Sequence, residues 1–148
     1  MPDTILNKPG PLDEEEFRIV KTHPTVGAEL MASWGLARPA RFVLEHHERI
    51  DGTGYPAGLR GDEICLESRI IHLADALVAM TLDRPYRDAL TFDEAAAEVE
   101  RHRGTQFDSD VVDALLACDC RGLTRRAARP PTPEARPRSR RPVLTARS

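Results

Sequence analysis

Apolar positions recur along this chain at three- and four-residue spacings instead of alternating, and that period belongs to helices. Asp13, followed by Glu14, Glu15 and Glu16, is placed to cap a helix over about residues 14–22. Pro24 suits the first turn of a second helix that Gly35 ends, and Pro39 opens a third that runs to His46 and His47. Residues 67–82 read as a helix apolar on most sides, with Ile70, Ile71, Leu73, Ala74, Leu77, Val78, Ala79 and Met80, which predicts deep burial. Thr91 with Glu94 forms a capping-box pattern for a helix to about residue 102. Val111, Val112, Leu115 and Leu116 mark a last amphipathic helix. No segment alternates convincingly as a strand does, so the expected fold class is all-α, a helical bundle.

Composition changes near residue 124, where arginine, proline and alanine take over and no aromatic residue remains. Residues 124–148 hold eight arginines and one glutamate, a charge of +7, which leaves −10 on the first 123 residues of a chain whose net charge is −3. The expected organisation is one folded unit over residues 1–121 and a disordered Arg/Pro-rich tail over 122–148. A nucleic-acid role is not expected, because the tail lacks interleaved aromatics. The acidic body repels phosphate at long range, so an anion site has to be made locally positive by metals or placed arginines. No run approaches the roughly 18 apolar residues of a membrane span, and no basic-then-apolar leader opens the chain, so a cytoplasmic setting is the default expectation. The three cysteines, Cys65, Cys118 and Cys120, fit neither a disulfide framework nor a Cys-x-x-Cys metal pair and are expected to be reduced.

The densest chemistry lies at His46-His47-Glu48, which leads into the loop Asp51-Gly52-Thr53-Gly54-Tyr55-Pro56. Consecutive helical residues point about 100° apart, so adjacent histidines fit one small ion poorly and a close pair of ions better. The same dipeptide also suits a helix end where imidazole meets the C-terminal dipole. The loop imitates a dinucleotide fingerprint but follows a helix instead of a strand, and Pro56 stands where an EF-hand needs glycine. What remains is a fixed turn in which Gly52 and Gly54 are free to take positive φ and Pro56 locks the exit.

These residues resemble the signature of HD-GYP domains, a bacterial branch of the HD phosphohydrolase superfamily. Asn7-Lys8-Pro9-Gly10, Lys21-Thr22-His23-Pro24, Gly27-Ala28-Glu29, Ala74-Asp75, Asp83-Arg84-Pro85-Tyr86-Arg87 and Gly104-Thr105-Gln106-Phe107-Asp108 follow that family in order and spacing, from about residue 2 to about residue 117. The resemblance implies the C-terminal portion of an HD-type helical bundle that hydrolyses cyclic dinucleotides such as cyclic di-GMP. It implies divalent-metal ligation, iron or manganese, by His23, His46, His47 and Asp75. It also implies substrate contacts from Tyr55, Arg84 and Arg87, with Lys21 a weaker candidate. Val78 stands where many relatives carry a second aspartate. His72 and His102 have no motif support and read as structural.

The His-Asp pair that names the superfamily belongs just upstream of the stretch matched by Pro2-Asp3-Thr4-Ile5-Leu6, and no His-Asp dipeptide occurs in the 148 residues. The resemblance therefore implies an incomplete site, silent unless an upstream half is supplied. A different expectation is a catalytically silent module whose Tyr55 loop binds a signalling partner such as a diguanylate cyclase domain.

Overall fold

A computed structural model describes residues 3–6, 8, 10–82 and 88–118. Among the described residues seven helices follow one another: α1 Asp3–Leu6, α2 Glu14–Val20, α3 His23–Ser33, α4 Ala37–Glu45, α5 Leu66–Thr81, α6 Phe92–Arg101 and α7 Ser109–Ala117. A single 3-10 turn, Gly61–Glu63, precedes α5, and among the described residues only two isolated bridges, Asp51 with Arg60 and Arg103 with Phe107, are extended pairings. The all-α reading holds, with α1 as a short helix that the periodicity did not mark.

Local chemistry explains the boundaries. The Asp13 side chain accepts from the Glu16 amide while Glu16 answers the Asp13 amide, a reciprocal cap that starts α2. Thr91 and Glu94 do the same for α6. Pro24 and Pro39 both sit in first turns, where a missing N–H costs nothing. At the end of α3 the Gly35 amide donates to Ala32 O at 2.9 Å and the Leu36 amide to Met31 O at 3.0 Å, a Schellman pair that turns the chain back into α4. That turn packs α3 against α4, and α4 in turn lies on α5.

The core sits between α5, α6 and α7, where Leu73, Leu77, Ala95, Val99, Phe107 and Val112 are buried together. Here α5 departs from expectation. Leu73 and Leu77 are buried, but Leu66, Ile70, Ile71 and Val78 are exposed. Neighbouring helices cover one face of α5, and its other face borders an open groove of about 670 Å³ that reaches Val111 and Leu115 of α7. Cys65 is free, whereas Cys118 is disulfide-bonded, which corrects the expectation of a reduced thiol there; Cys120 lies outside the described residues. No helix among the described residues is long and apolar enough to cross a membrane. Arg84, Arg87 and the tail 122–148 lie outside the described residues.

Candidate metal centre

The α3–α4 hairpin brings His23, the first residue of α3, against His46 and His47, which follow the last residue of α4. Helix α4 stops at Glu45 and His46 caps it, so the two histidines are no longer spread by a helical turn. Their rings lie 4.0 Å apart at 39°. His23 Nε2 stands 3.2 Å from His46 Nε2 and 3.2 Å from His47 Nε2. An unbroken helix would have held the two rings about 100° apart, and its end at Glu45 is what permits this convergence.

The donor set suits a cation. His23 Nδ1 donates to Val20 O at 2.7 Å and His46 Nδ1 to Val43 O at 2.6 Å. A carbonyl only accepts, so both Nδ1 atoms carry protons, and the Nε2 atoms are left to face one another as the candidate ligand atoms. Two lone pairs face to face repel unless a proton or a metal lies between them. Nitrogen donors about 2.1 Å from a shared ion lie roughly 3.0–3.4 Å apart at octahedral to tetrahedral angles, which the observed spacing matches. Burial drives the His47 pKa down to about 3, with His46, His23 and His72 adding to the shift. Burial lowers His46 too, against the pull of the Val43 carbonyl, so both rings are neutral at pH 7, as ligands must be.

Among the described residues these three histidines form the one group of ligating atoms within 4.8 Å of each other. Asp75 lies exposed on α5, outside that group, although its charge acts on His46, Tyr55 and His72. An exposed position removes the desolvation cost that made this carboxylate conspicuous in an apolar helix.

Tyr55 lies over the site, its ring 4.9 Å from that of His47 and inclined by 30°. Phe17 meets it edge-on at 6.4 Å, and Lys21 Nζ lies 4.7 Å from the Phe17 ring centre and 5.5 Å from that of Tyr55. Burial, then the charge of Asp75, pushes the Tyr55 phenol above its ordinary pKa, so it stays protonated.

Glu48, which sequence reasoning passed over, holds this loop. It is 2% exposed, and its carboxylate accepts from the amides of Ala57 at 2.6 Å, Gly58 at 3.1 Å and Leu59 at 3.0 Å. Gly52 has φ +77° as expected, but Gly54 is not in the left-handed region. A Cβ at Gly54 would lie 2.4 Å from Arg49 N and 2.6 Å from His47 O, so close backbone approach is what demands glycine there. Asp51 receives Arg49 Nη2 at 2.8 Å and the Thr53 amide at 3.0 Å, and the Arg49 guanidinium above all holds its carboxyl below the usual range. An acid directly after the histidine pair, followed by a glycine turn, is the sequence signal that could have singled out Glu48.

Residues 1–111 match the HD domain family. The cyclic di-GMP phosphodiesterase response regulator RpfG of Xanthomonas campestris pv. campestris is 45% identical over 119 residues, 78% of this chain and 32% of that protein. The 3'3'-cGAMP-specific phosphodiesterase 3 of Vibrio cholerae is 42% identical over 114 residues, 76% of this chain and 25% of that protein. A crystal structure of a cyclic GMP-AMP-specific phosphodiesterase from V. cholerae superposes with a TM-score of 0.56 at 19% identity, over 84% of this chain and 35% of that one, a likeness of fold. The chain thus spans between a quarter and a third of the length of these relatives.

Proposed function

Because this chain belongs to the HD-domain family, in its HD-GYP branch, we propose that it forms the downstream part of a metal-dependent phosphodiesterase site for cyclic dinucleotides, cyclic di-GMP foremost. The observation that carries this reading is that His23 Nε2 meets His46 Nε2 and His47 Nε2, each at 3.2 Å, beside the Tyr55 loop. A divalent ion held there, iron or manganese, would supply Lewis-acid charge to a phosphoryl oxygen. His23, His46 and His47 would hold it, and Asp75 of α5, outside that group, is the further carboxylate candidate. Tyr55 with Phe17 offers apolar surface to a base, while Lys21, Arg84 and Arg87 counter phosphate charge or grip the acceptor edge of guanine.

Four donors are too few for two octahedral ions, and no His-Asp dipeptide occurs in the 148 residues. On this reading these 148 residues by themselves bind one ion weakly and do not turn over, and hydrolysis needs further donors. The test is incubation with cyclic di-GMP and Mn²⁺ or Fe²⁺, with chromatography for the linear dinucleotide and GMP. No product is expected from these 148 residues, and product is expected once an upstream half bearing a His-Asp pair is added. Turnover by the chain alone that vanishes in His46→Ala would refute the incompleteness. Phe17, 45% exposed beside Tyr55 and Lys21, supports a second reading, a silent module that offers this face to a diguanylate cyclase domain. Continued inactivity with the upstream half present, together with retained binding of such a domain, would favour it.

A further inference from the structure

His72 lies on α5, outside the group of three ligating nitrogens, and nothing in the proposed chemistry uses it. Its surroundings are specific. Nδ1 lies 2.9 Å from His46 O, and since a carbonyl only accepts, Nδ1 carries the proton. The neutral ring then has a lone pair at Nε2, towards which the Gln106 side-chain amide donates at 3.4 Å. The ring rests on Phe107 at 5.3 Å and meets His47 edge-on at 6.3 Å. Gln106 is anchored by its own amide, which donates to His102 O at 3.0 Å, and its neighbour Thr105 accepts from the Asp51 amide at 2.8 Å. His72 therefore joins three segments: α5, the end of α4, and the turn before α7.

The bonded carbonyl is what matters. His46 caps α4, so its carbonyl lacks the intrahelical partner that a mid-helix carbonyl has. It belongs to the peptide unit that links His46 to His47, and rotation of that unit would swing both rings. One donor at this oxygen thus fixes the bearing of two ligands at once. We propose that His72, its tautomer set by Gln106, is a positioning residue that locks the His46–His47 peptide plane and so preorganises the pair towards His23 for a divalent cation. This rests on the metal-site reading above. Groups that hold a ligand's orientation commonly carry about 10–100-fold of metal affinity.

The test uses the full chain, with Mn²⁺ binding by calorimetry, Co²⁺ visible absorption as a report of ligand arrangement, and circular dichroism for the fold. His72→Leu removes the donor and is expected to weaken Mn²⁺ binding by about 10–100-fold and to alter the Co²⁺ bands while helix content is kept. In His72→Asn the amide nitrogen stands where Nδ1 stood, and both affinity and bands are expected to recover. Wild-type affinity in His72→Leu, or equal weakness in folded His72→Leu and His72→Asn, would overturn the inference. If the leucine variant does not fold, His72→Gln replaces it, because its amide reaches towards Gln106 and not towards His46 O. It should then bind more weakly than His72→Asn, and equal affinities would overturn the proposal. Failure of the unsubstituted chain to bind either ion would instead refute the metal-site reading, and this inference with it.

Discussion

Single side chains set the geometry of the site, and several do so through the backbone. Glu48 takes three amides of residues 57–59, so Glu48→Ala leaves three donors to find water or nothing. At about 1–3 kcal/mol for each buried donor left unpaired, and with water reaching part of the loop, a loss of roughly 3 kcal/mol is expected. Urea denaturation reads that loss, and hydrogen exchange at residues 57–59 should quicken with it. Gly54→Ala drives a methyl against Arg49 N at 2.4 Å, where only backbone could yield. Its cost is expected to exceed about 2 kcal/mol, well above the half-kilocalorie of an ordinary surface change, and a normal melt would show that the loop has room to shift. For the ligands, calorimetry with Mn²⁺ should give one site that is lost in His47→Ala; an unchanged isotherm would remove this histidine from the centre.

Among the elements, α7 depends on a residue that works in two directions. Asp108 Oδ1 accepts from the amides of Asp110 at 2.8 Å and Val111 at 3.2 Å, capping α7, while Oδ2 meets Arg69 Nη1 of α5 at 2.7 Å. Burial works to raise its pKa, but the Arg69 hydrogen bond and the two amides outweigh it and leave the folded value below the ordinary one. A depressed carboxyl contributes stability above its unfolded pKa of about 3.9 and loses that contribution as pH falls through the folded value. Asp108→Asn should therefore be less stable than the parent at pH 7, with the gap closing below about pH 4. Asp108→Ala, which also removes the cap, should cost about 2–3 kcal/mol at pH 7 by thermal melting. An equal gap at pH 3 and pH 7 would mean that the Arg69 pair adds nothing.

For the molecule as a whole, the apolar face of α5 is the dominant liability. Leu66, Ile70 and Val78 are 53%, 47% and 42% exposed, beside the groove that α7 shares. Leaving even about 400 Å² of such surface in water forfeits roughly 10 kcal/mol at 25 cal/mol per Å², on the order of a small domain's entire stability. The isolated chain is expected to bind ANS and to self-associate, as light scattering would show, and Ile70→Lys should reduce both signals. A monomer with a sharp melt by Trp34 fluorescence and no ANS signal would show that the fold is stable with this face bare.

What the sequence determined was local. The caps at Asp13 and Thr91, the turn at Gly35 and the histidines that close α4 all depend on residues within a few positions of one another, so periodicity and residue type sufficed to place them. The motif spacing also carried the family. Tertiary structure decided what separated segments do to each other. His23 faces His46 across 23 residues, and His72 reaches His46 O across 26. The three amides held by Glu48 lie nine to eleven residues away, in a loop without periodicity. Helix α5 shows the limit most plainly: residues apolar on most sides define no preferred face, so only its packing partners determined that Leu73 and Leu77 are buried while Ile70 and Val78 are not.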